Sequence, residues 1–228
     1  MEKKDLVKLS GIPEPVLKRL PKYLNYIKSI QLEDKFMISA PQIADHFGSD
    51  PTQVTKDIAF TGATGKTKVG YNIAELIDSI EEFLGFRRPN EAFLVGAGNL
   101  GTALMKYDGF KDIGFKIIAA FDSDPLKVGT EITGVKVLHI SKLRSLAERL
   151  HVIFGIITTP ASEAQQIADL MVGWGIRAIW NFAPVNLQVP KGIIVQNTLL
   201  YDSLAVILNK VKELYDNSPE NEIKIIAK

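Results

Sequence analysis

The feature that most constrains this chain is the run Gly96-Ala97-Gly98-Asn99-Leu100-Gly101, which satisfies G-x-G-x-x-G. Alone the pattern is weak, but its surroundings strengthen it. It follows a short apolar segment, Ala92–Val95, and opens a helical pattern at Asn99. An acidic residue, Asp122, ends the next apolar stretch 21 positions after Gly101. In a dinucleotide site each position has a task. Gly96 permits the tight turn, Gly98 lets the backbone approach a pyrophosphate, and Gly101 lets the helix pack on its strand. The first amides of the helix, around Asn99 and Leu100, then face the phosphates with their N–H groups and partial positive charge. Asp122 can accept hydrogen bonds from ribose hydroxyls, and its charge repels a 2′-phosphate, which favours NAD over NADP. The alternatives are a glycine turn that binds nothing and one that binds another nucleotide, such as coenzyme A.

The residues after Pro89 alternate between apolar strands and amphipathic helices, the pattern of a doubly wound parallel sheet of Rossmann type covered on both faces. Strands are expected at Ala92–Val95, Phe115–Phe121, Val135–Leu138, Val152–Thr158, Arg177–Trp180 and Ile193–Val195. Helices are expected at about Asn99–Tyr107, Leu143–Leu150 and Ser162–Trp174. Ligands on such sheets bind beyond the carboxyl ends of the strands. Thr158-Thr159-Pro160 and Asn181-Phe182-Ala183-Pro184 end two strands, so either turn can line the nicotinamide half, although both also suit ordinary turn chemistry. A last helix, Leu204 to about Leu214, has an apolar stripe of Leu204, Ile207, Leu208 and Val211 with no strand after it. Another subunit is the expected cover.

The residues before Gly85 read as helices. From Glu14 to Gln31, Val16, Leu17, Leu20, Leu24, Ile27 and Ile30 fall on one face, and Pro21 is expected to kink or restart the run. Ser39-Ala40-Pro41-Gln42 is a capping signal, and the helix it opens turns Ile43, Ala44 and Phe47 inward before Gly48 stops it. Asp50-Pro51-Thr52-Gln53 repeats the device and opens a helix to about Phe60. Two short helices joined by Gly48-Ser49 form a helix-turn-helix pattern. Gly62, Gly65 and Gly70 around Lys66 and Lys68 suggest a hairpin, or wing. A helix from Ile73 to Leu84 follows. These patterns divide the chain into a winged helix-turn-helix (1–85), a Rossmann domain (86–200), a C-terminal helix (201–216) and a tail (217–228).

Composition limits the chemistry. The chain has no cysteine, which excludes disulfides, thiolate catalysis and Cys-based zinc sites and suits a reducing cytoplasm. There is no signal-peptide pattern at Met1 and no apolar run near the ~20 residues that span a bilayer, so a cytoplasmic protein without a membrane segment is expected. Residues 1–85 hold 11 Lys and Arg against 12 Asp and Glu, so any nucleic-acid surface must be local. A dehydrogenase needs a group to move a proton. His46 lies in the helix-turn-helix pattern, while His139 and His151 sit at strand ends away from the cofactor motif. A nucleotide site without catalytic machinery, fused to a helix-turn-helix, points to a sensor rather than an enzyme.

The motifs together resemble the redox-sensing transcriptional repressors of the Rex family. The likeness covers nearly the whole chain. It includes Arg19-Leu20-Pro21-Lys22-Tyr23-Leu24, Gln53-Val54-Thr55-Lys56-Asp57-Ile58, Gly65-Lys66-Thr67-Lys68-Val69-Gly70-Tyr71, the glycine run, Phe121-Asp122-Ser123-Asp124-Pro125 with Lys127 and Gly129, and Asn181-Phe182-Ala183-Pro184-Val185. The resemblance implies NADH and NAD⁺ as ligands, with Lys127 joining the residues above. It implies a homodimer with exchanged C-terminal helices, and an inverted-repeat operator in double-stranded DNA contacted by Gln53, Thr55, Lys56, Lys66, Lys68 and Tyr71. It also implies release from that operator by NADH. This chain departs from the family's usual residues in places. Thr55 and Thr67 stand where Arg is usual, and Lys68 where Gly is usual. Ala59 and Phe60 replace Ser and Tyr. Leu199-Leu200 replaces an Asp-Phe pair whose Asp can pair with the arginine matched by Arg19.

Overall fold

The computed structural model describes residues 11–33 and 35–217. The reading of 217–228 as a tail falls outside these residues except for Asn217. The described residues divide into two compact units: residues up to Pro89 together with Gly109–Phe115, and Asn90–Asp108 together with the residues from Lys116 on.

In the first unit, helix α1 (Glu14–Gln31) is followed by strand β1 (Met37–Ile38), helix α2 (Ala40–Phe47), helix α3 (Pro51–Ala59), strand β2 (Tyr71–Asn72) and helix α4 (Ile73–Leu84). Pro21 does not restart α1, which runs unbroken through it. Pro21 has no N–H to give to the Leu17 carbonyl, and that residue lies toward the outer face, while Leu20 and Leu24 are buried. Leu17 is 40% exposed and leaves the core, and Tyr23 takes a place in it. Helix α2 starts with the expected capping box between Ser39 and Gln42 and ends at Gly48 in the left-handed region. Asp50 caps α3 by accepting from the Thr52 N–H, but the box is not repeated, because the Gln53 side chain turns to Asp57 instead. Strands β1 and β2 pair antiparallel through Met37–Asn72 and Ile38–Tyr71. Between α3 and β2, the backbones of Lys66 and Gly70 exchange hydrogen bonds of 2.7 and 2.9 Å and close a tight wing. Val16, Leu20, Ile27, Ile43, Val54, Ile58, Leu76 and Ile80 form the core of a winged helix.

The second unit holds a seven-stranded sheet. Its members are β3 (Asn90–Val95), β4 (Phe115–Asp122, beginning in the first unit), β5 (Glu131–Ile132), β6 (Val135–His139), β7 (Phe154–Ile157), β8 (Ala178–Asn181) and β9 (Ile194–Asn197). The order is β5-β6-β4-β3-β7-β8-β9. The six strands other than β5 thus have the 3-2-1-4-5-6 arrangement of dinucleotide-binding sheets. Helices α5 (Asn99–Met105), α6 (Leu143–Leu150) and α7 (Ala161–Gly173) connect strands.

The sequence pattern misses one element here. β5 pairs antiparallel with β6 in a hairpin that fills the β4–β6 connection, where strict alternation would place a helix. No helix joins β8 to β9, where none was expected. The buried side chain of Asn181 ties that loop instead: its Nδ2 donates to the Ala183 and Val185 carbonyls and to Asn197 Oδ1, and its Oδ1 accepts from the Ala183 N–H.

Helix α8 (Asp202–Asn217) follows. Its apolar residues lie open: Leu204, Val206, Ile207, Leu208, Leu214 and Tyr215 are each about half or more exposed. Among the described residues, no helix is long and apolar enough to cross a membrane.

Candidate functional site

The reversal of strand order lies between β3 and β7, and a cavity of about 840 Å³ opens above the carboxyl ends of β3, β4 and β7. That is the size of small-molecule and cofactor sites. Its walls include Val95, Gly96, Gly98, Asp122, Lys127, Thr158, Thr159 and Pro160. The structure therefore brings seven of the fourteen expected cofactor residues to one cavity. Asn99, Leu100 and Gly101 form the first turn of α5 just behind the wall. Asn181, Phe182, Ala183 and Pro184 lie off this cavity: Asn181 and Ala183 are buried, and Phe182 packs on Trp180 with ring centroids 4.6 Å apart.

The glycines are dictated by close approach. Gly96 has φ +103°, and a Cβ there would come within 2.8–2.9 Å of the Thr158 carbonyl and the Thr159 nitrogen. A Cβ at Gly101 would run into the Gly96 carbonyl oxygen. Thr158 ties the two strand ends together, its Oγ1 donating 2.7 Å to the Gly96 carbonyl and 3.1 Å to that of Val95. Gly98 differs. A Cβ there would meet no protein atom within 4 Å, yet Gly98 lines the cavity. Nothing in the protein requires glycine at 98, but a ligand pressed against the backbone would.

Asp122 is 8% exposed and well supplied with donors. Its Oδ2 accepts from the Ala97 N–H at 2.8 Å and from Lys127 Nζ at 3.1 Å, and its Oδ1 accepts from the Asp124 N–H at 2.9 Å. Burial pushes its carboxyl up, but these three donors outweigh burial and hold it below the ordinary carboxylate value. The hydrogen bond to Asp122 in turn raises the Lys127 ammonium. A carboxylate offers about four lone-pair sites, so capacity remains for a ribose hydroxyl. A further polar feature is Thr159 Oγ1, which is buried without a hydrogen-bond partner although the residue lines the cavity. A buried hydroxyl in this state is costly, and a bound polar group would satisfy it. Glycine space, an orphan hydroxyl and a polarised acid thus fit a dinucleotide.

Besides Ile140, one helix adds four wall residues that have no counterpart among the sequence expectations. Glu163, Gln166, Ile167 and Leu170 of α7 also line the cavity. Their 3-1-3 spacing puts them on one helical face, a signal that was present in the sequence. Among the histidines, His139 is paired with Ser141, His151 ends α6 in the left-handed region, and His46 stacks on Tyr26 at 3.7 Å; none lines this cavity.

On the first unit, Gln53, Thr55 and Lys56 are exposed on α3, and Lys66 and Lys68 are exposed on the wing. The Thr55 hydroxyl donates back to the Pro51 carbonyl at 2.9 Å. Tyr71 is half-buried and packs against the first core, with its ring against Gly65. Behind this surface lies a polar cluster that helical periodicity could not show. Asp57 is fully buried on α3. Its Oδ2 accepts from Arg19 Nε at 2.6 Å and from Tyr23 Oη at 3.0 Å, and its Oδ1 accepts from Arg19 Nη2 and Gln53 Nε2, each at 2.8 Å. Burial pushes the Asp57 carboxyl up, but the Arg19, Gln53 and Tyr23 hydrogen bonds outweigh it and hold it low.

Comparison with known proteins agrees with this layout. Residues 11–59 match a family model described as a putative DNA-binding protein N-terminus, and residues 87–185 match one described as a CoA binding domain. Redox-sensing transcriptional repressors Rex from Bacteroides thetaiotaomicron and Porphyromonas gingivalis are each 42% identical, over 88–89% of this chain and 91–93% of theirs. The Treponema denticola Rex is 41% identical over 87% of this chain and 96% of its own. Among solved structures, RSP in complex with beta-NAD⁺ and operator DNA superposes with a TM-score of 0.83 at 31% identity, over 91% of this chain and 99% of that one. RSP in complex with beta-NADH gives 0.81 at 32%, over 90% and 98%. With a winged helix, a dinucleotide-type cavity and relatives this similar over almost its whole length, the chain belongs to the Rex family of redox-sensing transcriptional repressors.

Proposed function

We propose that this chain is a homodimeric repressor that holds NADH or NAD⁺ in the Asp122 cavity, reads an inverted repeat in double-stranded DNA with its two winged helices, and leaves that DNA when NADH binds. The observation that carries the cofactor reading is the unpartnered Thr159 hydroxyl beside the open space at Gly98. The backbone of Gly96, Gly98, Asn99 and Leu100 would hold the pyrophosphate, with Gly101 keeping the helix close. Asp122, backed by Lys127, would take the adenosine ribose. Thr158, Thr159 and Pro160 would bound the nicotinamide half, with Asn181–Pro184 supporting it from the next strand. The two redox forms differ in the charge of the nicotinamide ring, and that difference is what the ligand supplies.

On the DNA side, Gln53 and Lys56 project from one face of α3 toward base edges. Thr55, Lys66, Lys68 and Tyr71 serve the backbone. The bare apolar face of α8 is the surface for a second copy, and a cytoplasmic location follows from the DNA partner. NADH can release DNA only if it binds the DNA-incompetent arrangement more tightly than the competent one. The chain acts as a regulator rather than an oxidoreductase, and incubation with NADH and common oxo-acids should give no turnover. Calorimetry with NADH, NADPH and coenzyme A tests the cofactor reading: binding of coenzyme A alone would overturn it. Light scattering of the full-length protein tests the dimer, and the single substitution Leu208→Glu should shift it toward monomer.

A further inference from the structure

Gln53 is exposed on the recognition helix, yet its side chain is not free. Its Nε2 donates to Asp57 Oδ1 one turn later at 2.8 Å. Asp57 is immobilised in turn, because its two oxygens receive the fork of Arg19 from α1 and the Tyr23 hydroxyl. The Arg19 guanidinium is a pure donor, so both Asp57 oxygens must act as acceptors. The group facing Asp57 Oδ1 must then be a donor, which in Gln53 means the nitrogen end of the amide. An exposed glutamine normally loses rotamer entropy when it binds and can flip its oxygen and nitrogen. Here one amide hydrogen is spent on Asp57, leaving Oε1 and the second N–H with a defined order.

We propose that Asp57 is a positioning residue for sequence recognition: it fixes which way the Gln53 amide points, so a carboxylate that never reaches the surface sets the base preference of the recognition helix. This rests on the DNA-binding reading above. The acceptor–donor pair that remains on Gln53 matches the N6–H donor and N7 acceptor of adenine in the major groove. Arg19 has the supporting part. Arg19 makes two hydrogen bonds within its own unit, both to Asp57. Recognition is thereby built into the winged helix itself.

The test starts with an operator selected from random duplexes by the full-length protein. A set of single-base-pair variants of it is then titrated with the parent, Gln53→Ala, Asp57→Ala and the double variant. In the parent, one adenine position should discriminate by about tenfold. Gln53→Ala should flatten that position and leave the others. Asp57→Ala should flatten the same position to a similar degree, and adding it to Gln53→Ala should change base preference no further. A purely structural role would weaken all sequences alike and leave the preference profile unmoved, and that result overturns the proposal. A parent that selects no sequence overturns the DNA-binding reading, and the proposal with it. Should Asp57→Ala not fold, NMR relaxation of the parent decides. A tethered Gln53 amide should show a side-chain order parameter that approaches the rigid-backbone value of about 0.85, whereas a value below about 0.6 means a free side chain and overturns the proposal.

Discussion

Two buried aspartates, one in each unit, show how the same group can be closed off by the fold or left facing a cavity. Asp57 is closed: four hydrogen bonds from three side chains reach it, and it is fully buried. Asp122 is open: two backbone amides and one lysine reach it, it lies on a cavity wall, and 8% of it remains exposed. Both are held low against the effect of burial. A lowered carboxyl therefore does not distinguish them. What does is the source of the donors. Side chains from two helices make Asp57 a joint between those helices. Backbone donors at a strand end leave Asp122 facing the crevice.

The comparison can be broken most sharply at Asp57. Asp57→Ala leaves Arg19 and the buried Tyr23 hydroxyl without their acceptor. Removing one partner of a buried ion pair costs about 3–5 kcal/mol, and the lower end is expected here because the Arg19 side chain is 32% exposed. Urea unfolding should show this loss. A change below about 1 kcal/mol would mean that the joint is not structural.

Asp122→Ala should cost less stability, roughly 1–2 kcal/mol for the Ala97 and Asp124 amides it strands, and should act chiefly on selectivity. With the carboxylate gone, Lys127 is released from its 3.1 Å contact and becomes available to a 2′-phosphate. The NADH-to-NADPH affinity ratio, measured by calorimetry, should fall by about tenfold, in line with the usual size of a charge-assisted hydrogen bond. An unchanged ratio would remove Asp122 from the ribose site.

Tyr23→Phe removes one donor from Asp57 and should cost about 1 kcal/mol at neutral pH. It also has a signature in alkali. Burial, and then hydrogen bonding to Asp57, pushes the Tyr23 phenol up to about 12. A raised folded-state value gives stability that is complete below the unfolded value near 10 and lost as pH rises through about 12. Tyr23→Phe should remove that part of the alkaline loss. Asp57 and Asp122 have the opposite sign. Their stabilisation is complete above the unfolded value near 3.9 and is lost as pH falls through their lower folded values.

The smallest stability effect belongs to Thr159→Val. Because the Thr159 hydroxyl has no partner, its loss should leave thermal stability unchanged or raise it by up to about 1 kcal/mol. NADH affinity should nevertheless fall about fivefold, the equivalent of one ordinary hydrogen bond. Loss of stability without loss of affinity would show that the hydroxyl serves the fold.

The contrast also explains what could be read from the sequence. The open site was legible. The glycine run, Asp122 and the Thr158-Thr159-Pro160 turn are local patterns whose spacing reflects backbone geometry, and the structure brings Gly96, Gly98, Asp122 and Thr158–Pro160 to one cavity. So were the caps at Ser39 and Gly48, which act within one helical turn. The closed site was not legible from pattern. Arg19 and Asp57 are 38 positions apart, and no periodicity marks two polar residues that meet across helices. Tyr23 entered the core in place of Leu17 because Asp57 offered its hydroxyl a partner. The β5 hairpin escaped notice because two-residue strands carry almost no pattern, and the Asn181 ties within the β8–β9 loop because a single buried polar side chain leaves no periodic mark.

If one ligand site governs one DNA surface, the two must be coupled in solution. The direct measurement is an anisotropy titration of the selected operator by the full-length protein, at fixed salt, alone and with saturating NADH or NAD⁺. NADH should weaken operator binding by at least about tenfold, within the usual range of coupling between two sites, and NAD⁺ should weaken it much less. Equal operator affinity in all three conditions, with calorimetry showing the site filled, would contradict the coupling.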